Sequence, residues 1–197
     1  GTYGANGTEY RTELESFAKV VSYGTAGNGP AWFKVWTKSG QIMEYGNTAD
    51  SRIEAQGKTT VAVWGINKIS DTKGNYLMVT YTEDNANGQY YPSRIDYTGN
   101  VNAGQSSNNS VRFVNEARPD TSPQYMGGAL VNLTQRLTTL RAYSGSTLTQ
   151  EFRLAYQNSA APNNSSRLVS LAECAGDGTC LPVSSFSWQT ASGSSGF

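Results

Sequence analysis

Apolar and polar residues alternate with a period of two along most of this chain, and stretches with helical spacing are scarce. In Ala31-Trp32-Phe33-Lys34-Val35-Trp36-Thr37 the alternation puts Phe33 and Val35 on one face of a strand and Trp32, Lys34 and Trp36 on the other. Leu77, Val79 and Tyr81 share a face in 76–82, as do Leu148, Phe152, Leu154 and Tyr156 further on, with Gln150 interrupting them. The run 60–69 is rich in β-branched residues, and Gly65 within it reads as a bulge. Further strands are expected at 9–23, 41–46, 90–98, 110–117, 167–174 and 183–190. Leu130, Leu133, Leu137 and Leu140 have a spacing that a helix would use. The threonines between them lose side-chain freedom in a helix, so two strands are the better reading.

Turn chemistry separates these runs: Gly27-Asn28-Gly29-Pro30, Lys38-Ser39-Gly40, Lys73-Gly74-Asn75, Asn87-Gly88, Gly99-Asn100 and Ser144-Gly145-Ser146. The spacing predicts successive hairpins, and hence an all-β fold, an antiparallel meander or wrapped sheet with little or no helix. Residues 100–110 are a polar stretch that reads as a long loop, dividing one sheet rather than two domains. The whole of 1–197 is therefore expected to be a single β-rich domain.

Composition narrows the chemistry. Lys plus Arg and Asp plus Glu both number 15, so nothing in the charge points to nucleic acid or an anionic membrane. The chain has no histidine, which excludes Ser-His-Asp and Cys-His nucleophile systems, His-ligated zinc and His general bases. Proton transfer would fall to carboxylates, tyrosines or lysines. Apolar runs are only a few residues long, too short for a membrane span. The start at Gly1 and the end at Ser192-Gly193-Ser194-Ser195-Gly196-Phe197 read as a piece of a longer protein.

Cys174 and Cys180 bracket a turn sequence between two expected strands, which would bring them within disulfide range and implies export. Two thiolates without histidine make a poor zinc site, and no metal or cofactor is expected. Asp84-Asn85-Ala86-Asn87-Gly88 looks like the first half of a calcium loop but lacks the distal glutamate, so a hairpin turn is expected instead. Glu13 and Glu15, at i and i+2, would share a strand face and are the weak candidates for paired-carboxylate catalysis. Their spacing also resembles the end of the ADP-ribosyltransferase signature, but only Gly1–Thr12 precede them, with no Ser-Thr-Ser strand. The 12 tyrosines are compatible with a lyase, though no spacing singles one out. Trp32 and Trp36, with Lys34 between them, form a candidate flat platform for polysaccharide. The other reading of that face is burial under a neighbouring layer.

The tract Gly74-Asn75-Tyr76 through Asp84, followed by Asn87-Gly88 and Ser93-Arg94-Ile95-Asp96-Tyr97, resembles an RHS/YD repeat, with Tyr81-Thr82-Glu83-Asp84 in place of an adjacent Tyr-Asp. Tyr10-Arg11-Thr12-Glu13, Gly29-Pro30, Trp36 through Gly40, Asp50-Ser51-Arg52-Ile53, Trp64 through Lys68, Tyr91 through Tyr97 and Cys180-Leu181-Pro182 together resemble the SpvB-type domain of bacterial RHS-repeat and insecticidal-toxin B-component proteins. The resemblance implies a β-rich wall segment of a large secreted or cell-surface shell, with neighbouring RHS or propeller repeats of the parent protein as partners. It implies no catalytic residues here. A non-catalytic structural module is thus expected, with a carbohydrate-active module, binding or cleaving polysaccharide, as the alternative.

Overall fold

A computed structural model describes residues 1–159 and 164–189, so the terminal Ser192–Phe197 lies outside the described residues. Twelve strands form one antiparallel sheet. In chain order they are β1 (Glu9–Tyr10), β2 (Lys19–Tyr23), β3 (Trp32–Trp36), β4 (Ile42–Tyr45), β7 (Ile66–Ser70), β8 (Asn75–Asp84), β9 (Gln89–Asn100), β10 (Asn109–Ala117), β13 (Gln135–Ser144), β14 (Thr147–Asn158), β15 (Ser166–Ala175) and β16 (Ser184–Ser185). Two excursions leave this sheet as two-stranded ribbons, β5 (Arg52–Glu54) with β6 (Val61–Trp64), and β11 (Pro123–Met126) with β12 (Ala129–Asn132). A 3-10 turn at Ala49–Ser51 is the only helical segment among the described residues.

Every neighbouring pair in the main sheet is antiparallel, so the expected meander of hairpins is what forms. The 129–144 region is indeed two strands. Four readings need correction. The stretch 9–23 is two short strands, because between them Thr12 donates to the Leu14 carbonyl (2.6 Å), the Glu15 carboxylate takes the Phe17 N–H (2.5 Å), and Phe17 turns to a φ of +55°. These local bonds replace a ladder. Gly65 is no bulge within one strand: it is where the chain passes from β6 in the ribbon to β7 in the sheet. Gly99 is no turn residue. It lies inside β9, opposite Tyr76, whose ring occupies the space a β-carbon would fill. Of 183–190, only Ser184–Ser185 pair as strand, and Thr190 falls outside the described residues.

Residues directly opposite one another in an antiparallel sheet point to the same side, so the register defines two faces. On one, Val20, Val35, Met43, Ile69 and Leu77 stand opposite one another across five strands. Phe113, Leu140 and Phe152 continue the same apolar character across β10, β13 and β14. The β5–β6 ribbon packs on this side through Trp64, whose ring meets Phe33 edge-on at 5.0 Å and whose indole N–H donates to the Pro30 carbonyl. The cover is partial. Among the described residues the buried apolar side chains are only Val21, Ala31, Ile53, Val61 and Cys174, and of these Val21 and Cys174 stand on the opposite face. The accessible surface, 12071 Å², exceeds the roughly 9,000 Å² expected of a compact chain of this mass. A single-layer sheet gives that excess.

Candidate functional site

The opposite face is polar, and its residues are set by the same register. Tyr23 stands opposite Trp32, and their rings stack at 4.3 Å with planes 17° apart. Four residues along β3, the Trp36 ring lies within cation–π range of the ammonium groups of Lys19 (5.7 Å) and Lys34 (5.4 Å). Trp32, Lys34 and Trp36 do share one face, and all three are half-buried. The carboxylate that reaches Lys34 is Glu44, 3.9 Å away on β4, and Glu44 is also held by the Asn47 side-chain amide (2.8 Å).

Glu13 and Glu15 are exposed in the β1–β2 loop and do not form a strand-face pair. Their expected common face fails because Thr12 and Glu15 bond to the loop backbone instead. The loop leans toward the β3–β4 turn, where the Lys38 ammonium sits 4.7 Å from the Phe17 ring. Asp84 does serve the β8–β9 turn: its carboxylate accepts from the side chains of Asn87 (2.7 Å) and Gln89 (2.9 Å). Those two bonds hold its pKa below the usual carboxylate value. Among the described residues no group of three or more acidic or cysteine side chains is placed to hold a metal.

Further along the polar face a row runs Thr80, Arg94, Arg112, Arg141, Glu151 and Cys174 across six strands. Glu151 is buried, and it accepts from Arg153 Nε (2.7 Å) and Arg141 Nε (3.1 Å). The Arg153 bond first, then the Arg141 bond, depresses its pKa despite burial. Arg94 Nε forks onto both oxygens of Asp96, at 2.8 and 2.9 Å. Sequence reasoning missed this row, although alternation within β13 and β14 already marks Arg141, Glu151 and Arg153 as polar-face residues.

The disulfide forms as expected between Cys174 and Cys180, closing the turn beyond β15. A ring this small is worth about 2 kcal/mol in the chain-entropy model. Native protein unfolded without reductant should show no titratable thiol, and reduction should lower the urea midpoint by a corresponding amount. Two thiols reacting in unreduced protein would contradict the bridge.

Two tertiary contacts anchor the second ribbon. The Thr134 N–H donates to Gln89 Oε1 (2.8 Å) and the Asn132 N–H to the Asn87 carbonyl (2.8 Å), which fixes the β12–β13 corner to the β8–β9 turn. Ile53, Val63, Tyr90, Leu130 and Leu133 line an apolar cleft between the two ribbons. Nearby, burial raises the pKa of Glu83, against the Glu54 N–H that it accepts at 3.2 Å.

This architecture, an open antiparallel sheet with side ribbons, recurs in bacterial toxin structures. Residues covering 92% of the chain superpose on a TcdB2–TccC3–Cdc42 crystal structure with a TM-score of 0.75 at 17% identity, spanning 12% of that chain. The Photorhabdus luminescens Tc holotoxin pore gives 0.74 at 18% identity, with 92% of this chain and 11% of that one covered. The N-terminal domain of effector protein SpvB from Salmonella typhimurium strain LT2 gives 0.69 at 15% identity, over 85% of this chain and 68% of that one. At these identities the likeness is one of fold. The chain spans about an eighth of the first of these structures. A family model for the Salmonella virulence plasmid 65kDa B protein, SpvB, matches residues 5–126, more than half of the chain, and the chain belongs to that family. Comparison with curated proteins finds no match.

Proposed function

We propose that this chain is a non-catalytic structural and interaction module, a wall segment of a larger, secreted, toxin-related bacterial protein, whose neighbouring RHS or propeller repeats are its partners. The observation that carries this reading is the half-buried apolar face of a twelve-stranded single-layer sheet, where Val20, Val35, Met43, Ile69 and Leu77 line up with the β5–β6 ribbon against one flank. A face of that kind is satisfied by packing against more protein. Fold likeness to Tc toxin components and family membership support the same role. The disulfide fits an oxidising compartment.

The isolated chain is expected to bind an environment-sensitive apolar dye such as anilinonaphthalene sulfonate while keeping its β-type far-ultraviolet dichroism. In the longer parent chain this dye signal should vanish. A folded, monomeric isolated chain that binds no dye would overturn the wall reading. The second reading, a carbohydrate-active module, rests on the half-buried indoles of Trp32 and Trp36 flanking Lys34 on the open polar face. Under the wall reading, Trp32→Ala and Trp36→Ala change no glycan affinity. Saturable oligosaccharide binding that either substitution abolishes in folded protein would establish the sugar reading instead.

A further inference from the structure

Two neighbouring rows of the polar face are built on opposite electrostatic rules. One row alternates in sign, Lys34 opposite Glu44 and Glu44 opposite Lys68, as cross-strand pairs ordinarily do. The next row sets Arg94, Arg112 and Arg141 directly opposite one another on β9, β10 and β13. With strands about 4.8 Å apart, three guanidinium groups project from roughly 10 Å of sheet. Like charges so placed destabilise a sheet, and a local rule broken beside one that is kept marks a functional position.

The outer arginines are matched by Asp96 and Glu151, and Arg153 also grips Glu151. Arg112 has no carboxylate partner among the described residues. Its guanidinium lies 3.9 Å over the Tyr143 ring, and its Nε reaches Ser110 Oγ at 3.4 Å. Stacking on a ring fixes the plane of the fork while leaving its edge donors open to a ligand. The cluster therefore carries four guanidiniums against two carboxylates. Arg94, Arg141 and Arg153 are all accessible, at 43%, 41% and 51% of their side-chain surface.

We propose that this arginine row is a docking strip for an acidic polypeptide segment lying extended across β9, β10 and β13, with Arg112 as its centre. Successive same-face side chains of an extended peptide are about 6.5–7 Å apart, so carboxylates at i and i+2 fall within reach of the three guanidiniums. The positive charge is local, in a chain with 15 acidic and 15 basic residues. A nucleic acid or anionic membrane wants a broad basic field instead. The guanidiniums of this strip already grip carboxylates on the same face, the chemistry that the partner would extend. The strip stands on strand register and on the side-chain contacts of its arginines, and does not depend on the wall reading.

The test is fluorescence anisotropy of a labelled peptide of alternating Glu and Ser, about a dozen residues long, titrated with the full chain at low salt. Saturable binding is expected, weakened about tenfold by Arg112→Gln and unchanged by Lys58→Gln, an exposed cation on the β5–β6 ribbon turn. The thermal midpoint of Arg112→Gln should stay close to that of the parent, because relief of like-charge repulsion offsets the lost stacking on Tyr143. No binding, equal binding by Arg112→Gln, or tighter binding of heparin or single-stranded DNA than of the peptide would each overturn the proposal. If Arg112→Gln does not fold, Arg112→Lys is read in its place. That variant keeps the charge and loses the fork, so about threefold weaker binding supports the strip and unchanged affinity refutes it.

Discussion

Gly88→Ala is expected to destabilise the chain by about 3–4 kcal/mol, through strain and through lost bonds. Gly88 closes the β8–β9 turn with a φ of +62°, where a β-carbon is itself unfavourable. The added carbon would fall on the Leu130 carbonyl oxygen, and Gln56 Cβ lies 3.1 Å away. Backbone cannot move aside as a flexible side chain does, so the β11–β12 ribbon must lift off the turn. Lifting it breaks the bonds from Asn132 to Asn87 and from Thr134 to Gln89, and leaves the oxygen of the buried Gln89 side chain without its Thr134 donor. Gly104→Ala is the control. Its φ is +63° with nothing within 4 Å of the added carbon, so it should cost only the backbone share, about 1–2 kcal/mol. Urea unfolding of the two variants separates the contributions. Equal losses would show that the contact between ribbon and turn adds nothing.

That contact also shows where the sequence is readable and where it is not. Long strands such as β8 and β14 announce themselves because one face of each meets apolar neighbours and the other meets water, which writes alternation into the chain, whereas Leu137 and Leu140 in β13 keep a helix-like spacing. β5 and β11 are three and four residues long, and β11 is exposed throughout, so no alternation is imposed on them. Gly65 and Gly99 were misread for one shared reason. A glycine signals that something comes close, but its position does not say whether that is a chain reversal, a change of sheet or the Tyr76 ring. The cystine was legible because its two halves flank one turn.

The candidate site divides along the same line. That Trp32, Lys34 and Trp36 share a face follows from period two alone. Which residues stand beside them depends on register, and register carries bulges at Glu44/Tyr45, Val114/Asn115 and Ala142/Tyr143. The bulge at Val114/Asn115 offsets the count between β10 and β13, which are joined through the β11–β12 ribbon and not by a hairpin turn, so the meeting of Arg112 and Arg141 cannot be obtained by counting back from a turn. Glu13 and Glu15 fail in the opposite way. Their spacing suits a strand, yet Thr12, Glu15 and Phe17 form a loop through bonds that spacing does not reveal.

Asp120→Asn is expected to cost about 2–4 kcal/mol at neutral pH and to flatten the acid limb of the stability curve. Asp120 lies in the connection from β10 to β11 and is nearly buried, its side chain 7% accessible. It accepts from Arg118 Nε (3.0 Å) and Nη2 (2.8 Å), and from both the N–H and the hydroxyl of Ser166 (2.6 Å each) at the start of β15. One carboxylate thus ties a connecting loop to a strand 46 residues away. The Arg118 fork first, and the Ser166 bonds after it, hold the Asp120 pKa far below its ordinary value of 3.8. A carboxyl depressed in the folded state contributes in full above its unfolded pKa, and the contribution drains away as pH falls below it. Stability of the parent chain should therefore decline from about pH 5 downward, as the unfolded state takes up the proton that the folded state refuses. Asparagine keeps an acceptor for one donor and drops the charge, so Asp120→Asn starts lower and declines less over the same range. Urea midpoints at intervals between pH 7 and pH 2.5 would show it. Parallel curves for the two proteins would mean that the Arg118–Asp120–Ser166 latch does not form in solution.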